Sequence, residues 1–315
     1  MRICVAGAVG AFGTKHLDAL ARIEGVQVTS VVGGPPDDID GFAAARGIGH
    51  ATKSLDEALA RDDVDAVILA TPTQVHAAQS IAALRAGKHV LCEIPIADSL
   101  ADAEAVAQAQ RETGLVAMVD HVRRFNPSHQ WIHRKIRAGE LALQHLDVQT
   151  FFFRRTNTNA KGEPRTWTDH LLWHHACHTV DLFQHQTGGG EVAEAFGLQG
   201  PMHPDLGIAM DMGIVMKAAT GALCTLSLSF NNDGPFGTFF RYICDKGTYL
   251  ARYDDLYDGR EVQIDLTGVA VSNDGVELAD REFIAAIREG RAPQSSVADA
   301  LPTMRTLDRI ERGLR

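Results

Sequence analysis

Over the first 120 residues, short continuous apolar runs alternate with helical patterns. RICVA at 2–6 is a short strand, and further strands are predicted at 26–32, 65–70, 89–92 and 115–119. Between them lie helices at 14–23, 39–46, from Ser54, after Thr73, and at 99–113, and Ser54-Leu-Asp-Glu57 has the spacing of a capping box. Alternation of this kind predicts an α/β doubly wound parallel sheet with helices on both faces. After Asp120 the period changes. Pro127 starts a helix to Ala138, and alternating segments follow at 145–154, 192–200, 206–218, 222–230, 238–245 and 248–253. Turns at Thr220-Gly221, Asn231 to Gly234 and Lys246-Gly247 separate them, which predicts a mostly antiparallel open sheet. Helices at 280–289 and 298–312 close the chain. The domains expected are 1–120 and an α+β domain over 121–315.

The first strand runs directly into Gly7-Ala8-Val9-Gly10-Ala11-Phe12-Gly13 and then a helix. A turn without β-carbons lets backbone approach a pyrophosphate, and the helix N-terminus offers unpaired N–H groups, so a Rossmann dinucleotide site is predicted. The spacing is G-x-x-G-x-x-G, with Ala8 where the tighter motif has glycine. Ligands of such sheets sit at the carboxyl ends of the strands, where this turn, Thr71-Pro72 and Glu93-Ile94-Pro95 all fall. An acidic residue at the second-strand tip would disfavour a 2′-phosphate. Here that tip is Gly33-Gly34-Pro35-Pro36, so NADP is expected, with NAD open.

Composition narrows the class. The 315 residues suffice for two cores, and the longest apolar runs are far too short to span a bilayer. A net charge of −10 argues against nucleic acid or anionic lipid as partner. Cys4, Cys92, Cys177, Cys224 and Cys244 are scattered and odd in number, which fits reduced thiols. With no secretory signal at the N-terminus, a cytoplasmic protein is expected.

The chemistry concentrates in WTDHLLWHHACHTVDLFQHQ, residues 167–186. Counted on a helix from His170, the next stripe members are His174, His178 and Asp181, which places three imidazoles on one face. Thr166 or Thr168 can cap this helix and Gly188 to Gly190 can end it. One such histidine alone would read as a hydrogen-bonded core residue, whereas three beside an aspartate read as a wall able to take up a proton. Zinc uses the same i, i+4 spacing as His174 and His178, but no glutamate or cysteine pattern completes a ligand set, so no metal is expected.

The order of the glycine turn, Thr71-Pro72 with His76, Glu93-Ile94-Pro95, Arg123-Arg124-Phe125-Asn126-Pro127 and the helix with His178 and Asp181 resembles the oxidoreductases typified by glucose-fructose oxidoreductase and inositol dehydrogenase. The resemblance covers nearly the whole chain. It implies a cofactor site of Gly7, Gly10, Ala11, Phe12, Gly13, Thr71, Pro72, His76, Glu93 and Ile94, with His178 as general base and His174 beside it. Members usually carry lysine at the position of Ile94 and aspartate at that of His174. Both are replaced, so proton transfer must be arranged differently here. EIPIAD, RRFNPSHQ, NAKGEPRTWTDHLLWHH, SLSFNNDGP and DREFIAAIREGR further resemble dehydrogenases of aromatic-acid breakdown after protocatechuate 4,5-cleavage. That implies a carboxylated cyclic hemiacetal, oxidised to 2-pyrone-4,6-dicarboxylate.

A carboxylated substrate needs cations, and Arg123, Arg124 and Arg165, with Arg154 and Arg155 behind them, are the candidates, alongside His170 and Asp181. Two other readings stay open: a sugar or inositol dehydrogenase, and a cofactor-binding regulator without catalysis. An antiparallel sheet with one uncovered apolar face predicts a homodimer or higher oligomer.

Overall fold

Where every side chain of a strand is apolar, both faces of its sheet must be covered. In the computed structural model, β4 (Ala66–Leu69) is such a strand, inaccessible along its whole length. The structure describes all residues except 35–37, 159–161, 163, 166, 167, 270–274 and 315. Its chain divides into two units, Met1–His121 with Val276–Leu301 and Val122–Gly275 with Pro302–Arg315.

In the first unit β1 (Arg2–Ala6), β2 (Gln27–Val32), β3 (Ala51–Thr52), β4, β5 (His89–Cys92) and β6 (Ala117–Val119) form one parallel sheet in the order β3-β2-β1-β4-β5-β6. Helices α1 (Ala11–Leu20), α2 (Ile39–Ala45), α3 (Leu55–Leu59), α4 (His76–Arg85) and α5 (Leu100–Thr113) connect the strands. β3 is the third strand of the alternation, too short at two residues for its bounds to be legible in the sequence. The loops after the strands are tied across the carboxyl edge by backbone bonds: Gly7 N–H to Val32 O (2.9 Å), Glu93 N–H to Leu69 O (2.9 Å) and Asp120 N–H to Cys92 O (2.8 Å). The strand order reverses between β1 and β4, which makes the crevice beside Gly7 the topological switch point.

The second unit is a seven-stranded sheet of β7 (Leu143–Phe151), β8 (Glu194–Gln199), β9 (Asp211–Lys217), β10 (Leu223–Ser229), β11 (Gly237–Cys244), β12 (Gly247–Arg252) and β13 (Asp255–Asp258). All neighbours are antiparallel except β7 and β10. Alternation decides its faces. Leu146, Val148, Met212, Ile214, Leu226, Leu228, Phe240 and Tyr242 point inward, under α6 (Pro127–Arg137) and α7 (Cys177–Gln186). Tyr242 Oη lies 2.8 Å from His129 Nδ1 of α6, which satisfies a buried hydroxyl. The strand expected at 206–218 begins only at Asp211, and α7 ends where Gly189, at φ 84°, bonds back to Gln184 O (2.7 Å).

The sequence pattern predicts one second domain over 121–315. Instead α8 (Val276–Glu289) and the start of α9 (Val297–Gly313) belong to the first unit. The cause is specific: α8 lies on α1, where Asp280 Oδ1 is 2.8 Å from His16 Nδ1 and Glu277 accepts from Arg22 Nε at 2.8 Å. Among the described residues no helix is long and apolar enough to cross a membrane.

Backbone proximity at the glycine turn gives a direct test. A β-carbon on Gly13 would lie 2.2 Å from Gly7 O and 2.8 Å from Ala8 Cα, and neither backbone atom can rotate away. Gly13→Ala is expected to lower unfolding free energy by about 1–3 kcal/mol, read from its denaturant midpoint.

Candidate active site

Each glycine of the turn meets a distinct demand. Gly7 has φ 76°, and a β-carbon there would sit 2.2 Å from Ala70 O, so the turn can press against the loop after β4 only without a side chain. Gly10 precedes α1 in extended conformation with no side-chain cap, and no acidic residue stands in the first turn. The N-terminal N–H groups of α1 therefore face the crevice with a partial positive charge, a cradle that fits a pyrophosphate. Ala11 and Phe12 follow, the latter half exposed. His76 is buried, its Nδ1 2.8 Å from Pro95 O and its Nε2 2.7 Å from Thr71 O. It fastens the Thr71-Pro72 loop to the Glu93-Ile94-Pro95 loop, and Thr71 Oγ1 donates to Gln79 Oε1 at 2.6 Å. The second-strand tip ends at Gly33, and Gly34 is exposed, with 35–37 outside the described residues.

In the second unit the predicted helix is broken. His170 is an N-cap in extended conformation (φ −105°, ψ 134°), Leu171–Ala176 form a π-helical turn, and only Cys177–Gln186 are regular α-helix. The wider turn changes the angular step between residues. The count from His170 to Asp181 thus assumes a constant step that this turn does not keep. The cap expected at Thr166 lies outside the described residues; Thr168 precedes the helical turn without capping it, since His170 holds that position.

The π turn settles two tautomers. His174 Nδ1 accepts from His170 N–H at 2.9 Å, and His170 Nδ1 accepts from Leu172 N–H at 3.2 Å. A neutral ring that accepts at Nδ1 carries its proton on Nε2, so both present an N–H donor. Burial lowers His174 to about 4 against the pull of Asp169, and burial likewise lowers His175 to about 4. Both rings are uncharged at pH 7. His175 packs edge-on to Phe230, with centroids 5.0 Å apart. His178 stands one turn on, half-buried.

Beside these rings Asp169 accepts from two arginines, Arg154 through Nη2 and Arg165 through Nη1 at 3.2 Å. Burial opposes its charge, but Arg154, His175 and Arg165 hold its carboxyl below the usual range. Two guanidiniums on one carboxylate leave a net positive charge. Arg154 Nη1 is buried with no hydrogen-bond partner among the described residues, although the guanidinium lies over the Phe230 ring at 4.9 Å. Asp169 is a functional candidate absent from the sequence-predicted set; the signal available was an acid four residues after Arg165, at the start of a histidine-rich stretch.

Arg124 and Asp181 are brought together, but to each other. Arg124 Nε donates to Asp181 Oδ2 (2.8 Å) and Nη2 to Oδ1 (2.6 Å), and Thr303 Oγ1 adds a third donor at 3.3 Å. Both side chains are buried. This is the geometry of a structural fork, not of groups waiting for a substrate. Arg123 lies elsewhere, 5.0 Å from the Tyr253 ring, with Nη1 3.4 Å from Asn126 Oδ1.

Two family models match the chain: residues 1–121 fit the oxidoreductase family with NAD-binding Rossmann fold, and 127–270 fit the C-terminal domain of bacterial oxidoreductases. A full-length relative, 4-carboxy-2-hydroxymuconate-6-semialdehyde dehydrogenase of Sphingobium sp. (strain NBRC 103272 / SYK-6), is 64% identical over 311 residues, 99% of this chain and 98% of the relative. The chain belongs to this oxidoreductase family. Inositol 2-dehydrogenase of Mycolicibacterium smegmatis (strain ATCC 700084 / mc(2)155) is a more distant member, 28% identical over 81% of this chain and 72% of its own. Levoglucosan dehydrogenase in complex with NADH shares the fold, with TM-score 0.86 at 19% identity over 99% of this chain and 96% of that one. Family membership makes the protein a nicotinamide-dependent dehydrogenase, and the glycine cradle fits that cofactor.

The Arg124–Asp181 pair separates structural from chemical roles. Removal of one partner leaves a buried charge uncompensated, which typically costs about 3–5 kcal/mol. Asp181→Asn is expected to lose stability of that order in chemical denaturation, and the double variant Arg124→Met with Asp181→Leu to regain much of it.

Proposed function

We propose that the protein oxidises the cyclic hemiacetal of 4-carboxy-2-hydroxymuconate 6-semialdehyde to 2-pyrone-4,6-dicarboxylate. The observation that carries this reading is the Arg154–Asp169–Arg165 cluster beside two neutral imidazoles, in a chain alike from end to end to the Sphingobium dehydrogenase. Neutral polyols would have no use for a net positive cluster. Dicarboxylates do, and the buried Nη1 of Arg154 is the donor we assign to a substrate carboxylate.

The bound nicotinamide supplies an acceptor for a hydride leaving the hemiacetal carbon. That departure is eased as the hemiacetal hydroxyl gives up its proton, so one base within hydrogen-bond distance suffices. His174 and His170 hold acceptors at Nδ1 already occupied and offer N–H donors, so they suit an oxygen that gains negative charge. The base is then His178. The tautomers replace the usual lysine and aspartate, whose positions Ile94 and His174 fill.

For the cofactor we favour NADP. No carboxylate stands at Gly33 or Gly34, and Asp38 caps α2 by accepting from Gly41 N–H at 3.0 Å. β3 pairs in register with β2, Val32 against Thr52, so exposed Lys53 follows at the adjoining strand tip, where a 2′-phosphate would need a cation. In turnover assays the hemiacetal is expected to drive reduction of NADP faster than of NAD, and inositol or glucose to drive neither. His178→Asn should lower kcat by about 10²–10⁴-fold with cofactor affinity retained. Arg154→Met should chiefly raise KM. Turnover with polyols, or an unaffected His178→Asn, would overturn the reading.

We also propose that the protein self-associates through the outer face of the second sheet. On that face Phe151, Val215 and Phe239 are interleaved with Gln149, Ser227 and Arg241, and Phe196, Leu198 and Leu223 are exposed at 68%, 65% and 42%. Apolar surface of that extent in a chain with its own filled cores calls for a second copy. Sedimentation at micromolar concentration is expected to give a dimer or higher species. Val215→Asp with Leu198→Asp should yield the monomer.

A further inference from the structure

Four ionisable side chains meet inside the first unit, and none carries a step in the reaction above. His16 comes from α1, Glu93 follows β5, Asp120 follows β6 and Asp280 comes from α8, and all are buried. His16 Nδ1 lies 2.8 Å from Asp280 Oδ1, and its Nε2 lies 3.3 Å from Glu93 Oε1 and 3.6 Å from Asp120 Oδ2. Glu93 turns Oε1 inward because its Oε2 accepts from Ile94 N–H at 3.3 Å. Asp120 is the independent observation. It is wholly inaccessible, aims at the same imidazole nitrogen, and neither of its oxygens has a hydrogen-bond partner among the described residues.

The hydrogen bonds of His16 do not account for this. A single N–H at Nε2 cannot serve two carboxylates, and 3.6 Å is beyond a hydrogen bond. Three buried carboxyl groups around one imidazole also repel one another when charged, which is costly in an interior. A cation between the three groups would resolve both problems. The donor atoms of His16, Glu93 and Asp120 lie within 4.8 Å of one another. A first-row divalent ion binds such nitrogen and oxygen donors at about 2.0–2.2 Å, which sets tetrahedral neighbours roughly 3.4 Å apart. The distances of 3.3 and 3.6 Å from Nε2 fall on either side of that spacing.

We propose that His16 Nε2, Glu93 and Asp120 form a structural site for a first-row divalent cation, with Asp280 orienting the imidazole. A carboxylate on the far nitrogen of a ligating histidine is the common supporting arrangement, because it fixes the tautomer and makes the ligand more basic. One imidazole with two carboxylates suits Zn²⁺ or Mn²⁺ and not the soft ions that prefer sulfur. A ligating histidine must be unprotonated at the nitrogen that binds, so cation and proton compete for Nε2. The bound ion would tie α1 and α8 to the ends of β5 and β6.

The test uses the untagged full-length protein, stripped by chelator and titrated with Zn²⁺ and with Mn²⁺. One equivalent of one of them per chain is expected, with release of protons and a raised Tm. Asp120→Asn and Glu93→Gln, each checked for native near-ultraviolet circular dichroism, should lose that equivalent, and Asp280→Asn should weaken it by about 10–100-fold. Absence of saturable binding in the unmodified protein overturns the proposal, as does equal binding in a folded Asp120→Asn. A metal-free Asp120→Asn more stable than a protein that binds no metal would show a shared proton in place of the ion, and would also overturn it.

Discussion

One carboxylate, Asp169, organises the second unit's polar cluster. It accepts from Arg154 and Arg165 together, and the same negative charge faces the rings of His174 and His175. Two cations beside buried imidazoles would alone make that region electrostatically untenable. With Asp169 between them, the guanidiniums are held in place without being neutralised. The imidazoles remain uncharged because burial outweighs the pull of Asp169. The positive excess is then available to an anion in a setting of low dielectric, where it acts more strongly than in water.

The π-helical turn is the second half of that arrangement. A regular helix from Thr168 would have used the Leu172 N–H in its own ladder and left the His170 acceptor to find another partner. Here His170 lies outside the helix, and its Nδ1 and that of His174 are tied to backbone N–H groups. Local backbone irregularity thus sets the proton positions of two side chains.

How much of this was legible along the chain follows from the range of each interaction. The glycine turn, the parallel strands and the alternating sheet are local patterns, and they appear near their expected positions. The register of the histidine stretch was not legible, because the residue-by-residue count assumes a constant angular step that a π turn violates. Asp181 looked like a fourth member of the wall, whereas its partner is Arg124, 57 residues earlier, and no periodicity reports that pairing. Arg154 was in view but was ranked behind Arg123 and Arg124. What distinguishes it is a shared carboxylate 15 residues away, visible only once the segment after β7 meets the one before the π turn.

The His16 cluster carries the same lesson further. Its members stand at positions 16, 93, 120 and 280, with no ligand spacing to reveal them. Each has an innocent local reading: a helix residue, the residue after one strand, the residue after another, and an acid in a late helix. Only the parallel sheet, which sets the ends of β5 and β6 side by side, and the return of α8 onto α1 bring them within reach of one another. A sheet that aligns strand ends for a dinucleotide necessarily aligns the first loop residues as well. Where those residues are acidic, as Glu93 and Asp120 are, the fold gathers carboxyl groups in its interior around a single histidine.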